Sequence, residues 1–476
     1  MSLRSSVSDA VGSVFKGRDE IDLTEGSIGA PLFYLSIPIV VTNLLQTAYN
    51  LADTVWLGML SKEALAAISF AFPMVFLLFS LGMGLSVAGS VLVAQHVGAE
   101  EEREAEYAAS QTVTFSALGS LVLGGLGYFV VGDVLEAMGA SPGVLEGATA
   151  YMQVISGGLV FMFVFFVFVS LMRGYGDTIT PMVVMFGTVV LNIALDPFLI
   201  FGWGPFPQMG VEGAAVATVF ARSLAMVVGL AILLRGERGV QIHPRQMVPD
   251  LSYLVKLVRI GAPASLEITS RSISVNLLLF IVGMFSTTVV AAFGIGIRVF
   301  SVIFLPAIAV DRGVETMTGQ NIGAGKPDRA ERANHFAAKV SFVILAAAGV
   351  VVFVFAAPIV DVFTNDREVV RVGAEFLRYV APTFGFLGFV RAYSGGFRGA
   401  GKTLIAAAIA ITMLGVVRLP LAWVAAQSMG EEGIWLSFLV SNVFGGLLAY
   451  AWFRRGSWRG GDVRTDVADP VTAGDD

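Results

Sequence analysis

The chain has 476 residues, of which 56% are hydrophobic and only 14% are charged, and its formal net charge is −6. Soluble globular chains carry about a quarter charged residues, so this composition excludes an ordinary soluble domain. The acidic balance argues against a nucleic-acid partner, and the absence of cysteine excludes disulfides, thiolate nucleophiles and cysteine-based metal sites.

Long apolar runs follow one another along the chain, and each is long enough to cross a bilayer as a helix. The first half has six predicted spans, at 30–58, 67–94, 107–131, 148–171, 181–202 and 211–234. The second half has six more, at 260–284, 289–317, 336–360, 376–393, 404–426 and 434–453. The sequence therefore predicts an all-α integral membrane protein with twelve transmembrane helices.

The loops between these spans alternate in charge. One set is rich in Arg and Lys, whereas the other holds only Lys62, Arg367 and Arg371 among many acids. By the positive-inside rule, both termini are predicted to be cytoplasmic. We expect a cytoplasmic tail at 1–29, an N-lobe at 30–234, a cytoplasmic linker at 235–256, a C-lobe at 257–453 and a disordered Gly/Asp-rich tail at 454–476.

An internal repeat relates the two halves. A constant offset of 225 in the numbering links Pro38 to Pro263, "QHVGA" at Gln95 to "QNIGA" at Gln320, and "RGYGDT" at Arg173 to "RGAGKT" at 398. Near the end of each half, "MGVEG" and "MGEEG" are offset by 220. Three motifs at one offset indicate duplication. Six spans per copy predict two six-helix repeats related by a pseudo-two-fold axis along the membrane normal.

Two acids lie inside predicted spans of the first half, where charges are costly and mark functional sites. Asp53 shares a face of the first span with Gln46 and Tyr49, and Asn192 and Asp196 form an i,i+4 pair in the fifth.

Topology puts Asp53, Asp196 and Thr218 of the sixth span at one depth, about 8–9 Å below the outer boundary. Oxygen donors from three helices at one depth could bind Na⁺, or a carboxylate could take a proton. In the second half, the equivalents of Asp53, Asn192, Asp196 and Thr218 are Leu278, Val417, Leu421 and Phe438. Fold symmetry therefore does not require the cluster, which favours function. The simpler interpretation is a lone Asp that caps a helix near the interface.

The second half has charges of its own. Glu267 and Arg271 form an i,i+4 pair in the seventh span, and Asp311 lies near the inner end of the eighth beside Arg312 and Glu315. Because desolvated charges usually exist as pairs, we expect a salt-bridged structural network here. A second coupling site at Glu267 and Asp311 is the alternative.

The paired loop motifs and the 6+6 pattern resemble the multidrug and toxic compound extrusion (MATE) family, in its archaeal and prokaryotic branch, from about residue 22 to 453. The resemblance implies alternating-access export of organic cations or other amphipathic compounds, driven by Na⁺ or H⁺ entry with no further cofactor. It also implies a multi-pass protein of the cell (plasma) membrane, whose partners are small-molecule drugs and the lipid bilayer. We expect a monomer.

By the same comparison, Asp53, Asn192, Asp196 and Thr218 match the coupling-ion site of the archaeal branch. Gln46, Tyr49, Tyr151 and Met185 would line the adjoining substrate cavity. Pro38 would let the first helix bend.

Two other functions are alternatives to export. The first is a lipid-linked oligosaccharide flippase of the same superfamily, which needs a more cationic cavity such as Arg271, Arg298 and Arg391 could provide. The second is a membrane-embedded enzyme, but no His, Cys or Ser-base constellation lies within the spans. We therefore expect no enzymatic activity.

Overall fold

The structure, a computed structural model, describes residues 21–464, and it contains helices and no strands in that range. The first half comprises α1 (Gly29–Leu60), α2 (Lys62–Gly98), α3 (Glu102–Ala137), α4 (Pro142–Gly157), α5 (Leu159–Tyr175), α6 (Ile179–Phe201) and α7 (Gly210–Arg235). The second half comprises α8 (Leu251–Val282), α9 (Thr287–Ile303), α10 (Leu305–Gly323), α11 (Pro327–Val354), α12 (Ala356–Asp361), α13 (Arg367–Val380), α14 (Phe384–Gly399), α15 (Thr403–Ile411), α16 (Leu419–Met429) and α17 (Glu431–Arg454). A π-helical segment, Thr412–Arg418, joins α15 to α16.

Nine spans within 21–464 are long and apolar enough to cross a membrane unbroken, and two bent pairs bring the number to eleven. The pairs are α4 with α5, bent by 55°, and α9 with α10, bent by 43°. The twelfth span is α13 with α14, which match α4 and α5 at the offset of 225 and are joined by one turn, Ala381–Thr383. The first helix of this span is too rich in charge to pass as apolar.

The repeat extends to the ends of the helices. At the offset of 225, the start and end of α2 fall on the start of α9 and the end of α10. Helix α7 matches α17 at 220, within one residue at each end. The predicted fold class, an all-α membrane protein built from two six-span repeats, is confirmed.

Two glycines of the repeated loop motif let helices approach closely. An added Cβ at Gly174 would lie 2.5 Å from the carbonyl oxygen of Ser90, and at Gly399 it would collide with the carbonyl oxygen of Glu315. These contacts are themselves equivalent, because Ser90 and Glu315 are also related by the offset of 225. The small residue is therefore needed at the same helix crossing in each half.

We expect Gly174→Ala to destabilise the protein by about 1–3 kcal/mol, because backbone atoms must move to admit the methyl group. The thermal unfolding midpoint of the detergent-solubilised protein measures this. Gly187→Ala on α6 is the matched control, since no atom of the described residues lies within 4 Å of its added Cβ. Equal midpoints for the two variants would contradict the close approach.

The chain divides into two compact units whose boundaries fall inside helices. The first unit contains Ile37–Ser265, and the second contains Asp22–Ser36 together with the described chain from Leu266 to Arg464. These boundaries differ from the predicted lobes, 30–234 and 257–453. The start of α1 belongs with the second half, and the predicted linker belongs with the first.

Hydrogen bonds explain both differences. Within the second unit, the Arg329 guanidinium donates to the carbonyl oxygens of Leu23, Glu25, Gly26 and Ser27, at 2.6–3.3 Å. Within the first unit, the Gln111 amide donates to the carbonyl oxygens of Gln246 and Val248, at 2.5 and 2.8 Å. Backbone carbonyls that precede α1 and α8 are thereby satisfied by side chains of α11 and α3.

The segment after α17 is ordered up to Arg464. Trp458 is fully buried, stacks on Phe453 at 4.6 Å and donates its indole N–H to the Phe453 carbonyl at 2.9 Å. The predicted disorder is therefore wrong for 455–464, because one aromatic side chain anchors this Gly-rich stretch. The remainder of that tail, 465–476, and residues 1–20 of the predicted N-terminal tail lie outside the described residues.

Candidate functional site

Helix α1 presents one polar face to the interior of the first unit. Tyr49 and Asp53 are 6% and 4% exposed, and Gln46 is half-buried one turn earlier. The face begins after Pro38, which lacks the N–H that a helix interior needs. Thr42 donates its hydroxyl to the Pro38 carbonyl at 2.8 Å. Pro38, the predicted bend position, therefore precedes the predicted site residues on the same helix.

The structure brings together the two acids that sequence analysis singled out. Asp196 on α6 is fully buried, and its carboxyl lies close enough to that of Asp53 for the two groups to interact electrostatically. Asn192 donates its amide to Asp196 Oδ1 at 3.2 Å. The i,i+4 spacing therefore places an amide beside a carboxyl, and the shared depth places the two carboxyls side by side.

A third helix completes this cluster. Thr218 on α7 is buried, and its hydroxyl oxygen lies 2.5 Å from the Tyr49 hydroxyl oxygen. Tyr49 in turn lies near enough to Asp53 to interact with its carboxyl electrostatically. Of the other predicted cavity residues, Tyr151 is buried in an apolar cluster with Leu57 and Ile200.

Three buried oxygens of this cluster have no hydrogen-bond partner in the described part of the chain: Asp53 Oδ1, Asn192 Oδ1 and Asp196 Oδ2. Buried oxygens without donors are costly, so a bound cation or proton would relieve them. Carboxylate and amide oxygens suit a hard cation such as Na⁺. Within 21–464, no group of three or more His, Cys, Asp or Glu side chains could hold a metal ion. The carboxyl and amide oxygens of Asp53, Asp196 and Asn192 would suit Na⁺ or a proton.

The acids of the second half form a different arrangement, which lies entirely within the second unit. Arg398 donates to both oxygens of Glu267 at 3.0 and 3.1 Å, to Glu315 at 2.9 Å and to Asp311. Arg271 also binds Glu267 at 3.1 Å, and Arg391 lies 3.7 Å from Asp311. Glu267 and Asp311, the possible second site, are thus each paired with at least two arginines, as a structural network requires.

Sequence analysis missed one residue of the first unit. Arg222 on α7 is 4% exposed, and it donates to Gln46 Oε1 at 2.7 Å and to the Met185 sulfur at 3.3 Å. It lies one helical turn after Thr218 and therefore shares its face. A charge inside the predicted span 211–234 was the signal that could have found it.

Twelve spans in two repeats, with buried acids toward the ends of two of them, define a polytopic membrane transporter. The family model described as MatE matches residues 38–198 and 263–424, one stretch in each repeat. The chain belongs to the MATE family, as its loop motifs indicated.

Known relatives and solved structures cover nearly the whole chain. The probable multidrug resistance protein YoeA of Bacillus subtilis is 28% identical over 88% of this chain and 92% of its own length. The FAD transporter of Shewanella oneidensis is 26% identical over 91% and 96%. A MOP superfamily transporter from Pyrococcus furiosus superposes with a TM-score of 0.84 at 26% identity, covering 93% of this chain and 98% of its own.

Proposed function

We propose that this protein is a secondary active multidrug efflux transporter, which exports organic cations or other amphipathic compounds by alternating access in antiport with Na⁺ or H⁺. The observation that carries the proposal is the acid pair Asp53 and Asp196, whose unpartnered oxygens lie beside Tyr49 and Thr218 within the described chain. The relatives named as multidrug resistance and export proteins support the class of cargo.

The proposed cycle couples charge to the shape of α1. A cation that enters from outside reaches Asp53 and Asp196 and neutralises them, which removes the cost of their buried charge. Helix α1 then bends near Pro38, the site loses volume and the drug leaves. Each inward elementary charge releases about 2.3 kcal/mol per 100 mV of membrane potential. The protein works as a monomer in the plasma membrane with both termini cytoplasmic.

The experiment imposes the two gradients separately on proteoliposomes loaded with a fluorescent drug. An inward Na⁺ gradient at equal pH, or an inward H⁺ gradient without Na⁺, should drive export, and the effective gradient names the coupling ion. Protein-free vesicles and an ionophore that collapses each gradient are the controls. Export that ignores both gradients would refute antiport.

The flippase alternative gains no support from the arginines that suggested it. Arg271 is paired with Glu267, Arg391 lies near Asp311, and Arg298 is exposed on α9. No free cationic cluster for a lipid phosphate arises from these three side chains, so we do not propose that function.

A further inference from the structure

Arg222 is a buried cation that is held only by neutral acceptors. Its two hydrogen bonds go to an amide oxygen and a thioether sulfur, and no carboxylate oxygen of residues 21–464 lies within 4 Å. A guanidinium has five N–H donors, so three of them are not used in these bonds. Arg398, by contrast, is surrounded by three carboxylates. Asp53 attracts Arg222 through space but forms no ion pair with it, and a buried charge without a direct partner is costly unless a ligand supplies one.

The guanidinium of Arg222 lies against the aromatic rings that surround it. The guanidinium carbon lies 5.3 Å from the ring centres of Tyr49 and Phe165 and 5.8 Å from that of Phe166. Such faces would otherwise attract the positive charge of an organic cation. Because the positive charge of Arg222 already lies beside these rings, a ligand that complements this region of the first unit carries an anionic group next to an aromatic ring.

The second half has no arginine at the position equivalent to Arg222. At the offset of 220, Arg222 corresponds to Asn442, and at 225 Gln46 corresponds to Arg271. Within the second unit a different buried arginine, Arg418, donates to Asn442 and lies 4.3 Å from the ring centre of Phe438. The pairing of an arginine on α7 with Gln46 on α1 is therefore particular to the first unit.

We propose that Arg222 selects the cargo by binding the anionic group, a carboxylate or phosphate, of an amphipathic aromatic substrate. This inference rests on the proposed export of organic cations or other amphipathic compounds, and it narrows that cargo to amphipathic aromatic anions and zwitterions. Planar N–H pairs of arginine match both oxygens of such a group. In this structure Gln46 Oε1 takes the place of one of those oxygens.

Gln46 connects the binding of cargo at Arg222 to the antiport cycle. It lies on α1 between Pro38 and Asp53, whereas Arg222 lies on α7. A bend of α1 near Pro38 moves Gln46 relative to Arg222, so Gln46 and the anionic group are alternative acceptors. Cation binding that returns Gln46 to Arg222 therefore displaces the cargo, although cargo and coupling ion have opposite charges.

The test uses three probes with one aromatic core: dansylglycine, its neutral amide dansylglycinamide, and the cationic dansylcadaverine. Binding to the full-length, detergent-solubilised protein is measured by dansyl fluorescence, with protein-free detergent as blank. Wild type should bind dansylglycine most tightly. Arg222→Gln should weaken dansylglycine at least about tenfold more than dansylglycinamide, and Arg222→Lys should keep part of the preference.

Each outcome decides the inference. An equal loss for both probes, or tighter wild-type binding of dansylcadaverine, would show that Arg222 only supports the fold. Size-exclusion profiles and unfolding midpoints identify a variant that fails to fold, and the wild-type ranking of the three probes then decides. Proteoliposomes separate this question from transport: absence of gradient-driven export sinks the proposed function, whereas export with an unchanged probe ratio sinks only the role of Arg222.

Discussion

Asp53→Asn is expected to abolish gradient-driven drug export, lowering the rate at least about tenfold, to that of protein-free vesicles. Asn preserves the shape of the side chain but removes the charge that a coupling cation neutralises. Asp196→Asn should behave in the same way, because its carboxyl lies beside that of Asp53. Export is measured in proteoliposomes under whichever gradient drives the wild type.

The matched control is Asp133→Asn, an exposed acid on α3 in the same unit. It undergoes the same chemical change outside the site and should transport at the wild-type rate. All variants must elute as monodisperse protein in size-exclusion chromatography. If either site variant still expels drug in response to the gradient, the acid pair is not the coupling site.

Arg398→Met is expected to lower the free energy of unfolding by about 3–5 kcal/mol, because one substitution leaves buried carboxylates without their common partner. Glu267, Asp311 and Glu315 are each no more than 3% exposed, so water cannot replace the guanidinium. Thermal or detergent-induced unfolding measures the loss. This is the largest stability effect that we expect from a single charge.

Arg418→Met provides the comparison in the same unit. Arg418 is also buried, at 8% exposed against 3% for Arg398, but it binds the neutral side chains of Ser441 and Asn442, so its loss strands no negative charge. A second check adds Glu267→Gln and Asp311→Asn to Arg398→Met, which should restore part of the stability. The salt-bridge network has no structural role if Arg398→Met is no worse than Arg418→Met.

The long apolar runs and the repeat were sufficient to predict the spans, but not their breaks. The fourth predicted span, 148–171, is two helices that meet at Gly158, where Val219 leaves no room for a Cβ. The tenth predicted span, 376–393, starts nine residues earlier in the structure, at Arg367. Hydropathy did not predict this start because α13 is rich in charged residues. Hydropathy reports the average environment of a segment, whereas a break depends on a local contact with another helix.

The site was predictable where it depends on helix geometry. Spacing put Asn192 beside Asp196, and equal depth put Asp196 near Asp53. Contacts between distant segments could not be predicted in this way. Arg271 was the expected partner of Glu267, but Arg398, far along the chain, also binds it. Two ionisable residues inside the spans of the first half were predicted to be functional, Asp53 and Asp196, whereas Arg222 was not among them.

The hydrogen bonds from Arg329 and Gln111 to the backbone carbonyls before α1 and α8 are relevant to how such a chain could have arisen by duplication. Each sequence repeat contributes a terminal segment to the compact unit formed mainly by the other, since Asp22–Ser36 belongs with the second and 241–265 with the first. A single repeat, cut from the chain near residue 240, would lack the segment that completes its own compact unit. It would also carry a segment that belongs to the compact unit of the other repeat. An ancestral half-length protein of this design is complete only as a pair of copies that have exchanged these ends. Fusion of two such copies into one chain would make that exchange permanent.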